Sequence, residues 1–74
     1  MVKEAQIIRL SDDKEYIVIK KINAHSFNYL YLITVAKPFE FLIATEKLIN
    51  GVLEIDEIKD NTELDYALYL LKSV

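Results

Sequence analysis

The only glycine of this 74-residue chain, Gly51, directly follows Asn50, and that pair limits the fold more than any other feature. Both residues tolerate a positive φ, which a two-residue hairpin turn matched to strand twist demands at both positions. The pair therefore predicts an antiparallel hairpin joining residues 39–49 to residues 52–58. In that register Ile49 lies opposite Val52, and Lys47 lies opposite Glu54 as an opposite-charge pair. Leu48 faces Leu53, with Ala44 and Ile55 further along the same side and an irregularity expected around Glu46.

The preceding segments also read as strands, because Ile, Val, Tyr, Phe and Thr cluster in short runs between turn signals. Residues 5–10 form the first and end at Ser11-Asp12-Asp13. Residues 15–22 form the second, and a loop through Asn23-Ala24-His25-Ser26 leads to the third at 27–35. Lys37-Pro38 ends that strand, since proline lacks a ladder donor and restricts its predecessor. After Asp60 the period changes: Leu64, Ala67, Leu68 and Leu71 recur as one helical face. Asp60 or Thr62 can cap this helix, with Glu63 or Asp65 at the third position, over residues 62–73. The sum is one α+β domain over residues 1–74, an antiparallel β-meander of about five strands packed on one C-terminal α-helix.

A domain this short buries little of its unfolded surface, and small folds usually add disulfides, metals or a second subunit. With no cysteine and 53% hydrophobic residues, stabilisation must come from apolar burial within the chain or against another copy. No stretch has the ~20 apolar residues of a membrane span or the apolar core of a signal peptide, so a soluble cytoplasmic protein is expected.

Charge is uneven. Residues 1–37 hold six Lys/Arg and four Asp/Glu, while residues 38–74 hold three and eight. An acidic second half argues against nucleic acid as the default partner, because phosphate contacts need a basic patch. Phe27, Tyr29 and Tyr31 do alternate along one strand, as single-stranded nucleic acid would need for stacking, with Lys20, Lys21 and Lys37 nearby. The same row suits a core beneath the helix equally well.

Reactive chemistry finds little footing. One histidine and no cysteine cannot assemble a common zinc site. The acidic stretch from Asp56 lacks the glycine and the second Asp or Asn of a calcium loop. His25 beside Ser26 has no acid placed to orient it, and neighbours in an extended segment point apart. Glu54 and Asp56 share a sheet face with no insertion to build a pocket. A lone glycine excludes the usual phosphate-cradling loops. The expectation is a non-enzymatic protein with no catalytic residue, metal or cofactor.

The early strand pair, the Tyr29–Leu32 run Tyr-Leu-Tyr-Leu, the run Asn50-Gly51-Val52-Leu53-Glu54-Ile55, and the acidic approach to Glu63-Leu64-Asp65 before a terminal amphipathic helix together resemble the YrzB-like family of small bacterial proteins. The resemblance spans most of the chain. It implies the α+β fold class and carries no assigned activity, so no site residue follows from it.

The helix presents one anomaly. Opposite its core face stand Tyr66, Tyr69 and Leu70, where a helix on a sheet should be polar. These three residues are the expected contact for an unidentified protein partner, a second copy forming a homodimer included. An alternative is an acidic inhibitor in which Glu54, Asp56 and Asp60 stand in for phosphates in another protein's nucleic-acid groove. Single-strand binding on the aromatic row is the weaker alternative.

Overall fold

The computed structural model describes residues 1–73. Five antiparallel strands follow in chain order: β1 (Ile7–Arg9), β2 (Glu15–Ala24), β3 (Phe27–Thr34), β4 (Phe41–Ile49) and β5 (Val52–Glu57). They form one sheet of order β1-β2-β3-β4-β5, and α1 (Asn61–Lys72) follows. The expected α+β meander is the fold observed. Asn50 and Gly51 adopt φ of 51° and 79°, and the register sets Ile49 opposite Val52 and Lys47 opposite Glu54. Lys47 turns aside from Glu54, however, and its Nζ lies 5.5 Å from the centre of the Phe27 ring.

The irregularity lies elsewhere than expected. The β4–β5 ladder runs unbroken past Glu46, and the register shift falls in β2 between Val18 and Lys20. There the extra residue is Ile19, which the shift leaves half-exposed. A bulge of this kind bends its strand and adds twist, which helps an open sheet to curl. Between β3 and β4, the Thr34 hydroxyl accepts from the Glu40 N–H at 2.8 Å and donates to the Pro38 carbonyl at 3.2 Å.

Strand β3 is buried on both sides. Leu30 and Leu32 pack with Val18, Tyr16, Ala44 and Val2, while Tyr29 and Tyr31 pack with Ile43, Ile58 and Ala67. The first set lies on the face opposite α1, and Glu46 is buried completely on that face. Its carboxylate accepts from the Val2 N–H at 2.7 Å and from Asn28 Nδ2 at 3.0 Å, with Lys21 Nζ at 3.3 Å. Lys21 also donates to the Val2 carbonyl at 2.8 Å, so residues 1–4 lie clamped across the sheet. Burial alone would raise the Glu46 pKa, but the hydrogen bonds from Asn28, Val2 and Lys21, with the Lys21 charge, outweigh it and hold the carboxyl below its ordinary value.

On the other face, α1 is capped by Asp60, whose side chain accepts from the Glu63 N–H at 3.0 Å. Its packed residues are Ala67, Leu64, Leu70 and Leu71. This corrects the expected inward face: Leu68 is exposed and Leu70 is partly buried, a rotation of roughly 40° at 100° per residue. Ala67 sets that rotation. Its small side chain is fully buried, and close approach there lets the Tyr31 hydroxyl donate to the Ala67 carbonyl at 2.6 Å.

Two outcomes follow. Gly51→Val should cost about 1–3 kcal/mol, because a β-branched residue resists positive φ. An added Cβ meets nothing within 4 Å, so the cost is purely backbone strain, and an unchanged denaturant midpoint would contradict it. Tyr31→Phe should cost about 1 kcal/mol at neutral pH, since Ala67 keeps its bond within the helix. Burial raises the Tyr31 pKa to about 12, and a hydrogen bond to Asp12 raises that of Tyr16 to about 12. A folded pKa above the unfolded one, about 10, gives stability that is complete below pH 10 and lost as pH rises toward 12. The Phe variant should lose part of that alkaline slope in unfolding measurements from pH 9 to 12.

Candidate interaction surface

The expected helix patch divides. Tyr66 and Tyr69 are 54% and 64% exposed, while Leu70 turns inward and leaves it. Tyr66 also leans on the sheet, its ring 6.3 Å from that of Tyr29 in an edge arrangement, and Tyr29 meets Phe27 edge-on at 5.0 Å. Two tyrosines beside Asp65 and Lys72 make an amphipathic rim rather than an apolar patch.

The aromatic row lies beneath that helix. Tyr29 and Tyr31 are buried, so neither ring has a face open to a base. Of the lysines expected to hold phosphate, Lys20 pairs with Glu4 and Lys21 with Glu46. The stacking platform is thus replaced by core, for the physical reason that the helix docks on it. His25 sits in the exposed two-residue turn between β2 and β3. Among the described residues no three His, Asp or Glu side chains gather as a metal site.

The acidic residues separate by role. Glu54 and Asp56 stand exposed on the helix-bearing side of β5, opposite Lys47 and Thr45. Asp60 is spent as the cap of α1. The three form no single cluster.

A larger apolar feature crosses the sheet. The registers place Ile7 beside Ile17, Ile17 beside Ile33 and Ile33 beside Phe41, so one row spans β1 to β4. It lies on the same side as Tyr31 and Ile43, yet α1 does not cover it. Ile7 is 53% and Phe41 48% exposed, and Ile17 and Ile33 are only partly buried. Arg9 and Glu15 flank the row as cross-strand partners, 3.8 Å apart between charged groups. Individual Ile and Phe residues in strands signal nothing by themselves. The signal was their alignment, which needs the register and so could not be read from local pattern.

A second bare region is the end of the β4–β5 hairpin. Leu48, Ile49, Val52 and Leu53 are all exposed, although they point to both sides of the sheet. The hairpin end therefore projects beyond both cores as an arm. This feature had a sequence signal: apolar residues on both faces of a turn, with charges only at Lys47 and Glu54.

A cleft of about 440 Å³ opens where the β1–β2 turn meets the β3–β4 loop. Its charged lining is balanced, Arg9, Lys14 and Lys37 against Asp13, Glu15 and Glu40. Lys14 and Glu40 satisfy one another at 2.7 Å, so the cleft favours neither anion nor cation. Among the described residues no helix is long and apolar enough to cross a membrane. No family model, curated protein or solved structure matches the chain.

Proposed function

We propose that this protein is a non-enzymatic interaction module that binds another protein, or a second copy of itself, through the sheet. The observation that carries this reading is the bare row Ile7–Ile17–Ile33–Phe41. Four aligned apolar side chains with a charged rim match the plan of a protein interface, apolar at the centre and polar at the margin. A small chain without disulfides also has reason to cover them, because apolar burial contributes about 25 cal/mol per Å². Tyr66 and Tyr69 become outlying contacts in this reading rather than its centre.

A second reading keeps the acidic strand as a phosphate mimic, supported by the exposed neighbours Glu54 and Asp56. Salt separates the two. Charge contacts fade as the screening length falls to about 3 Å at 1 M salt, whereas apolar contacts persist.

The module reading is tested with the double variant Ile7→Lys, Phe41→Glu. Both positions are exposed, so its unfolding free energy should stay within about 1 kcal/mol of wild type. Its partner capture from native lysate, or its self-association by light scattering, should fall at least about tenfold, as loss of a central apolar anchor implies. Tyr69→Lys should weaken either readout much less. Undiminished association of the double variant, or loss only with Tyr69→Lys, would place the contact elsewhere.

A further inference from the structure

The projecting arm has an edge as well as two faces. In an antiparallel pair, successive residues alternate between bonding their neighbour and pointing their N–H and C=O away from it. The Ile58 N–H bonds the Ile43 carbonyl, and Ile49–Val52 close the two-residue turn. Even-numbered residues of β5 therefore bond β4, which leaves the main chain of Leu53, Ile55 and Glu57 directed outward. β5 ends the sheet, and β1 at the other end does not pair with it.

Side chains along this edge follow a strict alternation. Leu53, Ile55 and the exposed Glu57 lie on the side of Leu30 and Ala44, while Val52, Glu54 and Asp56 lie on the helix side. Antiparallel pairing with another copy in the register that overlaps the whole edge is opposed by charge. An antiparallel match centred on Ile55 sets Glu54 directly across from Asp56 of the other strand, and like charges so placed are destabilising. A strand bearing Lys or Arg at those positions gains from the same geometry. Isolated edge carboxylates can also simply deter aggregation, and that role predicts no selective partner.

We propose that the outer edge of β5 receives an extended basic segment of another protein as a sixth strand. Its Lys or Arg side chains meet Glu54 and Asp56, and its alternate apolar side chains extend the Leu53–Ile55 side. Main-chain bonds to Leu53, Ile55 and Glu57 supply the affinity, and the two carboxylates supply the selection. This deepens the module reading by giving its partner a chemistry, and it uses a different surface from the Ile7–Phe41 row.

The test uses the whole chain with two blocked eight-residue peptides, one alternating Lys and Val, the other Glu and Val. At about 0.1 M salt the basic peptide should bind at least about tenfold more tightly, as charge complementarity across strands implies. Its binding should slow amide exchange at Leu53, Ile55 and Glu57 selectively. N-methylation of alternate peptide residues should abolish binding in one of the two frames. The variant Glu54→Lys, Asp56→Lys should reverse the peptide preference, and its own circular dichroism establishes that it is folded. Equal binding of both peptides, indifference to N-methylation in both frames, or no reversal in the folded variant would each overturn the proposal. If both peptides fail while Ile7→Lys, Phe41→Glu still abolishes association, the strand edge is excluded and the module reading stands. If the basic peptide binds as described while that double variant loses nothing, the edge stands and the row is excluded.

Discussion

Glu46 is a charged residue withdrawn wholly from water near the middle of a small sheet, and the side of the sheet away from the helix is organised by that fact. A buried carboxylate is tolerable only when its acceptors are filled and its charge is opposed. Three different parts of the chain meet that demand: the main chain at Val2, the β3 side chain Asn28 and the β2 side chain Lys21. Asn28 is in turn held by the Asn23 amide at 2.9 Å. The network ties residues 1–4 to the sheet and fixes which face of β4 looks inward. A one-residue slip of β4 would turn Glu46 to the helix side of the sheet and break all three contacts at once.

With that side closed by the leading segment, one short helix remains for the other. Twelve residues of α1 reach Tyr29, Tyr31, Ile43 and Ile58, held down at Ala67 by the Tyr31 hydroxyl. They do not reach the row from Ile7 to Phe41 or the end of the β4–β5 arm. The uncovered surface is thus a consequence of where the two covers fall. Both proposed contacts occupy what the covers leave open.

What was legible in the sequence was local. Asn50-Gly51 announced its turn, Asp60 or Thr62 a cap, of which Asp60 is the one used, and the four-residue spacing its helix, because each signal acts within a few residues. The buried Glu46 was less legible: it interrupts the apolar alternation Leu42, Ala44, Leu48, and its partners lie 18 to 44 residues away. The helix rotation escaped for a similar reason. Leu68 and Leu70 are equally apolar, and only the small Ala67 opposite a tyrosine hydroxyl chooses between them. The Ile19 bulge and the Ile7–Phe41 row depend on register across strands, which no single segment encodes. Of the expected site residues, Tyr66 and Tyr69 remained exposed and Leu70 did not, so the helix patch failed where it depended on that rotation.

The sheet face away from the helix thus depends on Glu46 being a charged clamp rather than a neutral core residue. A lowered folded pKa means that its stabilisation is present above the unfolded value, about 4.3, and disappears as pH falls through the folded one. Carbon-detected NMR of the Glu46 side-chain carboxyl, followed from pH 7 to pH 2, measures this directly. A charged clamp gives a midpoint below that of an ordinary glutamate, with the Val2 amide and the Lys21 ammonium signals moving at the same pH. A midpoint at or above the ordinary value, or a Val2 amide indifferent to the titration, would contradict it.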